Sequence, residues 1–344
     1  MDQPVNVKSS LEPGKVMRLQ LARYRFHWQI NTPLQLPPYA SSTLRGVFGR
    51  ALRHLACLTQ ASECRGCAML AACPYPQLFE PQTVPRPSGG PGKGQPALAP
   101  YAIETSFPSG SQCPPENHRY YPGEHFTFDM VLMTPAAITR LSLIIAAWKQ
   151  AFAKGVGKGD GTAALIRVEH LLADGAPYAV YSAQKPQLQH HKAELSVPKF
   201  TSTEDVQLHL QTPLRIEQQG KLIKEQDMTA SLFLRHLIRR VSFQIGAQQA
   251  DAFSLAEIHQ FNALADQAQE GERQLQWCDW SRYSSRQKQK MTLGGLLGQL
   301  HLQQVPPQLL PFIYLGQWLH VGKESTFGLG KYQWSSSPSL LGAA

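Results

Sequence analysis

Apolar and polar residues alternate along 16–30, "VMRLQLARYRFHWQI", with the period of a half-buried strand. Met17, Leu19 and Leu21 share one parity; Tyr24, Phe26, Trp28 and Ile30 share the other. The change of phase predicts a bulge at Ala22 or Arg23. Opposite the second apolar set stand Arg23, Arg25 and His27, so one face of the expected sheet is basic. In "PPYASSTLRGVFGRALRHLAC" the period becomes helical, with Ser41 and Ser42 at a plausible start. Leu44, Val47, Phe48, Ala51, Leu52 and Leu55 fill one arc, and Arg45, Gly46, Gly49, Arg50, Arg53 and His54 fill the other. A strand "EHFTFDMVLM", an amphipathic helix "AAITRLSLIIAAWKQAFAKG" and strands at "AALIRVEHLLA" and 177–183 follow. That order resembles a split β-α-β unit.

The polar stretch 184–205 separates a first domain, 1–184, from a second, 185–344. The second half again reads strand, helix, two strands, helix, strand: "VQLHLQTPLRIEQQG", "TASLFLRHLIRRVSFQI", "RQLQWCDWSRY", "QKMTLGGLLGQLHLQ", "PQLLPFIYLGQWLH" and "KYQW". The expected fold class is α+β, two tandem ferredoxin-like (RRM-like) domains. The first carries an irregular cysteine-rich insert over about 57–121, which includes the low-complexity run "VPRPSGGPGKGQPALAP".

Composition narrows the partner. The 344 residues carry a net charge of +9 at pI 9.3, which favours a polyanion, either nucleic acid or an acidic membrane surface. The N-terminus has no apolar core, and "LSLIIAAWKQAF" is too short to span a bilayer. These features predict a soluble cytoplasmic protein with no membrane partner. Cys57, Cys64, Cys67 and Cys73 are crowded together, and in a reducing compartment such crowding points to metal before disulfides. Four thiolates suit a structural zinc pinning an insert that lacks its own core; an iron–sulfur cluster uses the same ligand set. Cys113 and Cys278 read as ordinary residues.

Near the C-terminus, "LHVGKESTFGLGKYQW" threads Gly322, Gly328 and Gly330 with Lys323 and Lys331. It is not a nucleotide-triphosphate loop, because Gln317 and Glu324 occupy positions that need glycine and Ser or Thr. Glycines let backbone N–H groups approach an anion, and lysines add long-range attraction, so the segment is expected to contact RNA phosphate. An ordinary helix-to-strand turn is the plainer alternative. In "SRYSSRQKQK", Arg282, Arg286, Lys288 and Lys290 surround Tyr283, a set suited to phosphates and one stacked base.

Taken together, "HVGKESTFGLGKY", "PYASSTLRGVFGRALRHL", "CRGCAMLAACPYPQLFEP", "YYPGEHFTFDMVLMTPAA", "GVGKGDG" and "DWSRYSSRQKQKMTLGGLLGQL" resemble the RAMP-superfamily CRISPR endoribonucleases that cut precursor CRISPR RNA within its repeats. The cysteine-rich piece resembles one branch of that superfamily. The resemblance runs from about residue 16 to 334. It implies two ferredoxin-like domains binding one repeat RNA, and metal-independent cleavage to a 2′,3′-cyclic phosphate and a 5′-hydroxyl. Product crRNA would often stay bound for a CRISPR effector complex. A non-catalytic crRNA-binding subunit is the alternative.

Such a reaction uses the RNA's own 2′-OH, so the protein must move two protons and stabilise extra negative charge, with no catalytic cofactor. The resemblance places a histidine on or just after the first helix, which selects His54. Arg50, Arg53 and Arg45 on the same arc would stabilise charge. His320 with Lys323 is the second choice, and His27 the third. Arg23 and Arg25 of the basic sheet face, the three loop glycines and Lys331 complete the expected RNA contacts.

Overall fold

The computed structural model describes residues 18–81, 99–106, 118–249, 253–279, 281–284 and 289–336; for 281–284, 289–292 and Ser336 only the backbone is described. The first module runs β1 (Ala22–Ile30), α1 (Ser41–Ala56), α2 (Pro74–Leu78), β2 (Tyr101–Glu104), β3 (His125–Leu132), α3 (Leu141–Lys154), β4 (Ala163–Leu171) and β5 (Pro177–Ser182). Its sheet has the order β2-β3-β1-β4-β5, every pair antiparallel. Strand β1 buries Tyr24, Phe26 and Trp28 completely, as alternation requires. Phe26 lies opposite Phe128 in the register, and the rings stack 5.2 Å apart. Trp148 of α3 closes this core against Phe48 of α1 at 4.8 Å and Phe128 at 4.6 Å.

The second module runs β6 (Glu204–Leu214), α4 (Ala230–Gly246), α5 (Leu255–Gln267), β7 (Gln269–Cys278), the ribbon β8 (Ser281–Ser284) and β9 (Gln289–Thr292), β10 (Gly295–Val305), α6 (Leu310–Leu319) and β11 (Tyr332–Ser336). Its four-stranded sheet has the order β7-β10-β6-β11. In both sheets the first strand is central and the second lies at the edge beside the third, so one ferredoxin-like topology occurs twice. Thr229 caps α4 by accepting from Leu232 N at 3.2 Å.

Three details differ from the sequence reading. The irregular region 57–122 contains a strand, β2, which forms the edge of the first sheet. Four residues are too few to show a period. Helix α5 is also additional; its capping box, Ser254 with Glu257, stands in the sequence as S-x-x-E. The phase change at Ala22 is not a bulge. A separate strand, Arg18–Leu19, pairs with Leu195–Ser196, and the chain then crosses to β1. Leu19 and Leu21 bury in the second module's core, whereas Ala22, Tyr24, Phe26 and Trp28 bury in the first. The two parities serve two cores.

The modules are packed tightly together. Ala102, Val131 and Met133, from the first sheet's edge, join the second module's core. Gln244 of α4 and Gln248, just beyond its end, both donate to the Met133 carbonyl.

Candidate nucleic-acid interface

The glycine segment lies on the seam between the modules. Residues 320–331 leave α6 and return to β11. Tyr39 Oη and Ser41 Oγ, at the start of α1, each donate to the Phe327 carbonyl at 2.6 Å. Gly328 has φ +76°, and a Cβ there would lie 2.3 Å from the Ile103 carbonyl oxygen of β2. Gly330 has φ +73°, and a Cβ would lie 1.8 Å from Val321 O. Both glycines are buried. Their amides are used within the fold: Gly328 N donates to Ser325 O at 2.8 Å and Gly330 N to Pro213 O at 3.0 Å. This corrects the expectation that these two residues offer free N–H groups to phosphate. They permit close approach of two backbones.

Beneath the seam, one buried carboxylate gathers an arginine, a lysine and a histidine. Glu104 ends β2 and is 2% exposed. Its Oε1 accepts from Arg23 Nη2 at 3.1 Å and lies 2.7 Å from His320 Nε2; its Oε2 accepts from Lys331 Nζ at 2.8 Å. Desolvation opposes ionisation, yet the surrounding Arg23, Lys331 and His320 hold the Glu104 pKa well below the usual carboxylate value. His320 is 0% exposed, and its Nδ1 faces the Leu329 carbonyl at 3.1 Å. Burial lowers the His320 pKa and Glu104 partly offsets that. With both ring nitrogens engaged inside the protein, His320 is not a surface proton carrier. Arg23 also donates to Gln317 O at 2.9 Å, and its guanidinium lies over Trp318. Arg23 and Lys331, expected at RNA, are thus tied into this seam. Lys323 stays at the surface, half-exposed and paired with Glu217.

The basic sheet face is likewise compensated. Arg25 meets Asp129 of β3 through two bonds of 2.8 and 2.9 Å. His27 Nε2 lies 2.7 Å from Glu169 of β4, which Arg167 also contacts at 2.7 Å. The acids come from neighbouring strands, which the reading of β1 alone could not pair.

The polar arc of α1 divides. Arg45 is drawn inward, its guanidinium 4.2 Å from the Phe79 ring centre and 5.0 Å from that of Phe327. Arg53 folds onto the insert, donating to Ala61 O and Ser62 O. Arg50 and His54 are exposed and form no ion pair among the described residues. One helical turn apart, they are neighbours on the surface. His54 Nδ1 accepts from Gln150 Nε2 of α3 at 3.0 Å, so a neutral ring carries its proton on Nε2. Ser41 and His54 are separated by about 20 Å along α1. The two histidine candidates, His54 and His320, therefore lie toward opposite ends of this helix and do not converge.

The four thiols line one apolar cavity beyond the C-terminus of α1, with Leu58, Met69 and Tyr75. The Cys67 amide donates to Cys64 O at 3.1 Å, forming the expected tight turn. The Thr59 hydroxyl stands between Cys67 Sγ, at 3.5 Å, and Cys57 Sγ, at 3.9 Å, and Cys73 Sγ points to Ala56 O at 3.8 Å. No three His, Cys, Asp or Glu side chains among the described residues are grouped to hold a metal ion. Zinc, expected here from the sequence, is therefore not supported by a ligand cluster among the described residues. Cys278 is fully buried, and Cys113 lies outside the described residues.

Arg286 and Lys288 lie outside the described residues. Arg282, Tyr283 and Lys290 fall on the β8–β9 ribbon, whose register sets Tyr283 opposite Lys290; their side chains are not described. Sequence reasoning missed Glu104, Tyr39 and Arg215, which organise the seam. An acid closing the apolar run "YAIE" was the available signal for Glu104.

Two ferredoxin-like modules locked through a glycine-bearing seam define a double-module class of α+β proteins. Residues 19–193 match the family model "AF_1859_N: N-terminal domain", and residues 208–332 match that of the CRISPR-associated endoribonuclease Cas6. The second module thus carries a match to the Cas6 family over about a third of the chain's length. The fold is similar to that of a Cas6 in a product complex, with TM-score 0.54 and 13% identity over 92% of this chain and 99% of that one. It is also similar to Thermus thermophilus Cas6, with TM-score 0.52 and 12% identity over 94% of this chain and 100% of that one. A partial Cas6-RT-Cas1–Cas2 complex gives TM-score 0.50 and 15% identity over 94% of this chain and 47% of that one. No curated protein matches the sequence. Among the described residues no helix is long and apolar enough to cross a membrane.

Proposed function

We propose that this protein binds CRISPR repeat RNA and cleaves precursor crRNA by attack of the RNA 2′-OH on the adjacent phosphate. The products are a 2′,3′-cyclic phosphate and a 5′-hydroxyl, and no metal takes part. The observation that carries this reading is the pair Arg50 and His54: exposed, adjacent on α1 and free of ion pairs among the described residues. Every other arginine or histidine discussed above is engaged inside the fold or lies on the undescribed side chains of the ribbon. Acting as an imidazolium, His54 delivers a proton to the departing 5′-oxygen and is left neutral, while the proton of the attacking 2′-OH passes to solvent water. Arg50 stabilises the added charge on the phosphorane. The attack itself needs little from the protein beyond alignment, because nucleophile and phosphate belong to one nucleotide. The cleaved RNA then serves a CRISPR effector complex.

The test uses the repeat RNA of the protein's own locus. Cleavage should proceed in EDTA. A single 2′-deoxy substitution at the cut should abolish it while binding is kept. Cutting of the deoxy RNA would overturn the mechanism, and tight binding without any cleavage would favour a non-catalytic crRNA-binding subunit.

A further inference from the structure

An imidazolium has two N–H groups to place. At His54 the Nε2–H goes to the leaving oxygen, so the partner of Nδ1 decides how the ring is held. That partner is Gln150 of α3, whose Nε2 lies 3.0 Å from His54 Nδ1. Close packing of the two helices brings it there. Trp148 stacks on Phe48, and Ala147 and Ala151 are small buried residues that let α1 and α3 approach. Gln150 stands at the rim of this contact, half-buried, beside the exposed His54.

Neither helix contains an acidic residue. α1 carries Arg45, Arg50 and Arg53, and α3 carries Lys149 and Lys154. Beyond α1 the insert adds Glu63, Arg65 and Glu80, and His54 forms no ion pair among the described residues. His54 lies in the last turn of α1, where the partial negative charge of a helix C-terminus favours a cation and the neighbouring cations oppose it. With no carboxylate on either helix, Gln150 is the acceptor within reach of Nδ1–H.

A carboxamide can serve both states of the ring. Its Nε2–H donates to a bare Nδ1; turned by about 180°, its Oε1 accepts from Nδ1–H. Gln150 Oε1 is buried and has no hydrogen-bond partner among the described residues. The turn therefore breaks no hydrogen bond of the interior.

We infer that Gln150 is a positioning residue that follows the protonation of His54: it donates to Nδ1 of the neutral ring and, turned over, accepts from Nδ1–H of the imidazolium. The ring takes a proton from solvent at Nδ1 and delivers its Nε2 proton to the 5′-oxygen. It is left as the neutral Nδ1–H tautomer, still held by Gln150 Oε1. Protonation of Nε2 by solvent restores the imidazolium. The kinetic consequence rests on the RNA-processing reading; the pairing of Gln150 with His54 does not.

The experiment compares full-length wild type, Q150L, Q150E, H54A and the double variant H54A/Q150L. Nitrogen NMR of histidine-labelled protein reads the His54 tautomer, with H54A identifying its signals. The neutral ring should carry its proton on Nε2 in wild type. In Q150E the carboxylate accepts from Nδ1–H, and the tautomer should invert. In single-turnover cleavage of repeat RNA, Q150L should be about tenfold slower, with RNA affinity unchanged within about twofold. In the H54A background the same substitution should change the rate by less than about twofold, because no ring remains to be positioned. Q150E should keep most of the neutral-pH activity and move the alkaline limb of the pH profile up by about one unit. A tenfold loss from Q150L that persists in the H54A background would mark a merely structural role and overturn the inference. So would an Nε2–H tautomer retained in Q150E. Wild-type rates in H54A would overturn the functional reading instead, and the tautomer comparison would still decide whether Gln150 holds the ring.

Discussion

The outer arc of α1 and the seam at 320–331 drew the same sequence reading, a histidine among cations, and the fold treats them oppositely. At the arc, His54 and Arg50 face solvent and form no ion pair among the described residues. At the seam, His320, Arg23 and Lys331 surround one carboxylate, Glu104, with the imidazole fully buried. Residue type is equal in the two places; pairing and burial are not. A polyanion is attracted by charge left over after the protein has paired its own, and the arc retains such charge whereas the seam has used it. The seam is a device of stability, and the arc is where we propose the chemistry.

This contrast can be broken most directly at Glu104. Glu104→Ala strands Arg23, Lys331 and His320 in or near the seam, and should cost about 3–5 kcal/mol of unfolding free energy, measured by denaturant titration. A loss below about 1 kcal/mol would mean that the seam does not hold the modules together. His54→Ala should do the reverse: cleavage falls about 10²-fold or more at unchanged stability. Near-normal cleavage would remove His54 from the chemistry and leave the arc as a binding surface only.

Acid should test the buried groups next. His170 packs beside Tyr24 and His191, and burial together with His191 lowers its pKa to about 4. A histidine depressed in the folded state keeps its stabilising contribution above the unfolded pKa near 6.5. Below that pH the unfolded chain takes up a proton that the folded chain refuses until about pH 4. Glu104, also depressed, adds loss of the same sign as pH falls below about 4.5. Stability should therefore decline from pH 6.5 to 4, by up to about 3 kcal/mol for His170. A flat profile would show that His170 is solvated. The smallest effect belongs to Lys323→Ala: its partner Glu217 is surface-exposed in part, so stability should change by at most about 1 kcal/mol.

The repeated ferredoxin-like pattern was legible because its long strands and helices carry clear periods. Tyr24, Phe26 and Trp28 mark β1, and Leu234, Leu237, Ile238, Val241 and Ile245 mark α4. β2 was not legible, since four residues buried throughout show no alternation. The site was legible as a set of residue types and illegible as a set of states. Whether Arg25 is free depends on Asp129, about a hundred positions away, and whether His320 is exposed depends on β2. A glycine that serves close packing and one that cradles an anion look the same in one dimension; Ile103 O and Pro213 O, beside Gly328 and Gly330, distinguish them.

The short strand at Arg18–Leu19 bears on how the protein is made. Its partner, Leu195–Ser196, is synthesised about 175 residues later, a delay of roughly 10–35 s at ordinary rates of translation. Throughout that interval Leu19 and Leu21 have no home, because the core that shelters them does not yet exist. The segment is thus a natural site for chaperone capture on the ribosome, and a fragment ending near residue 193 would leave the same two leucines stranded for good.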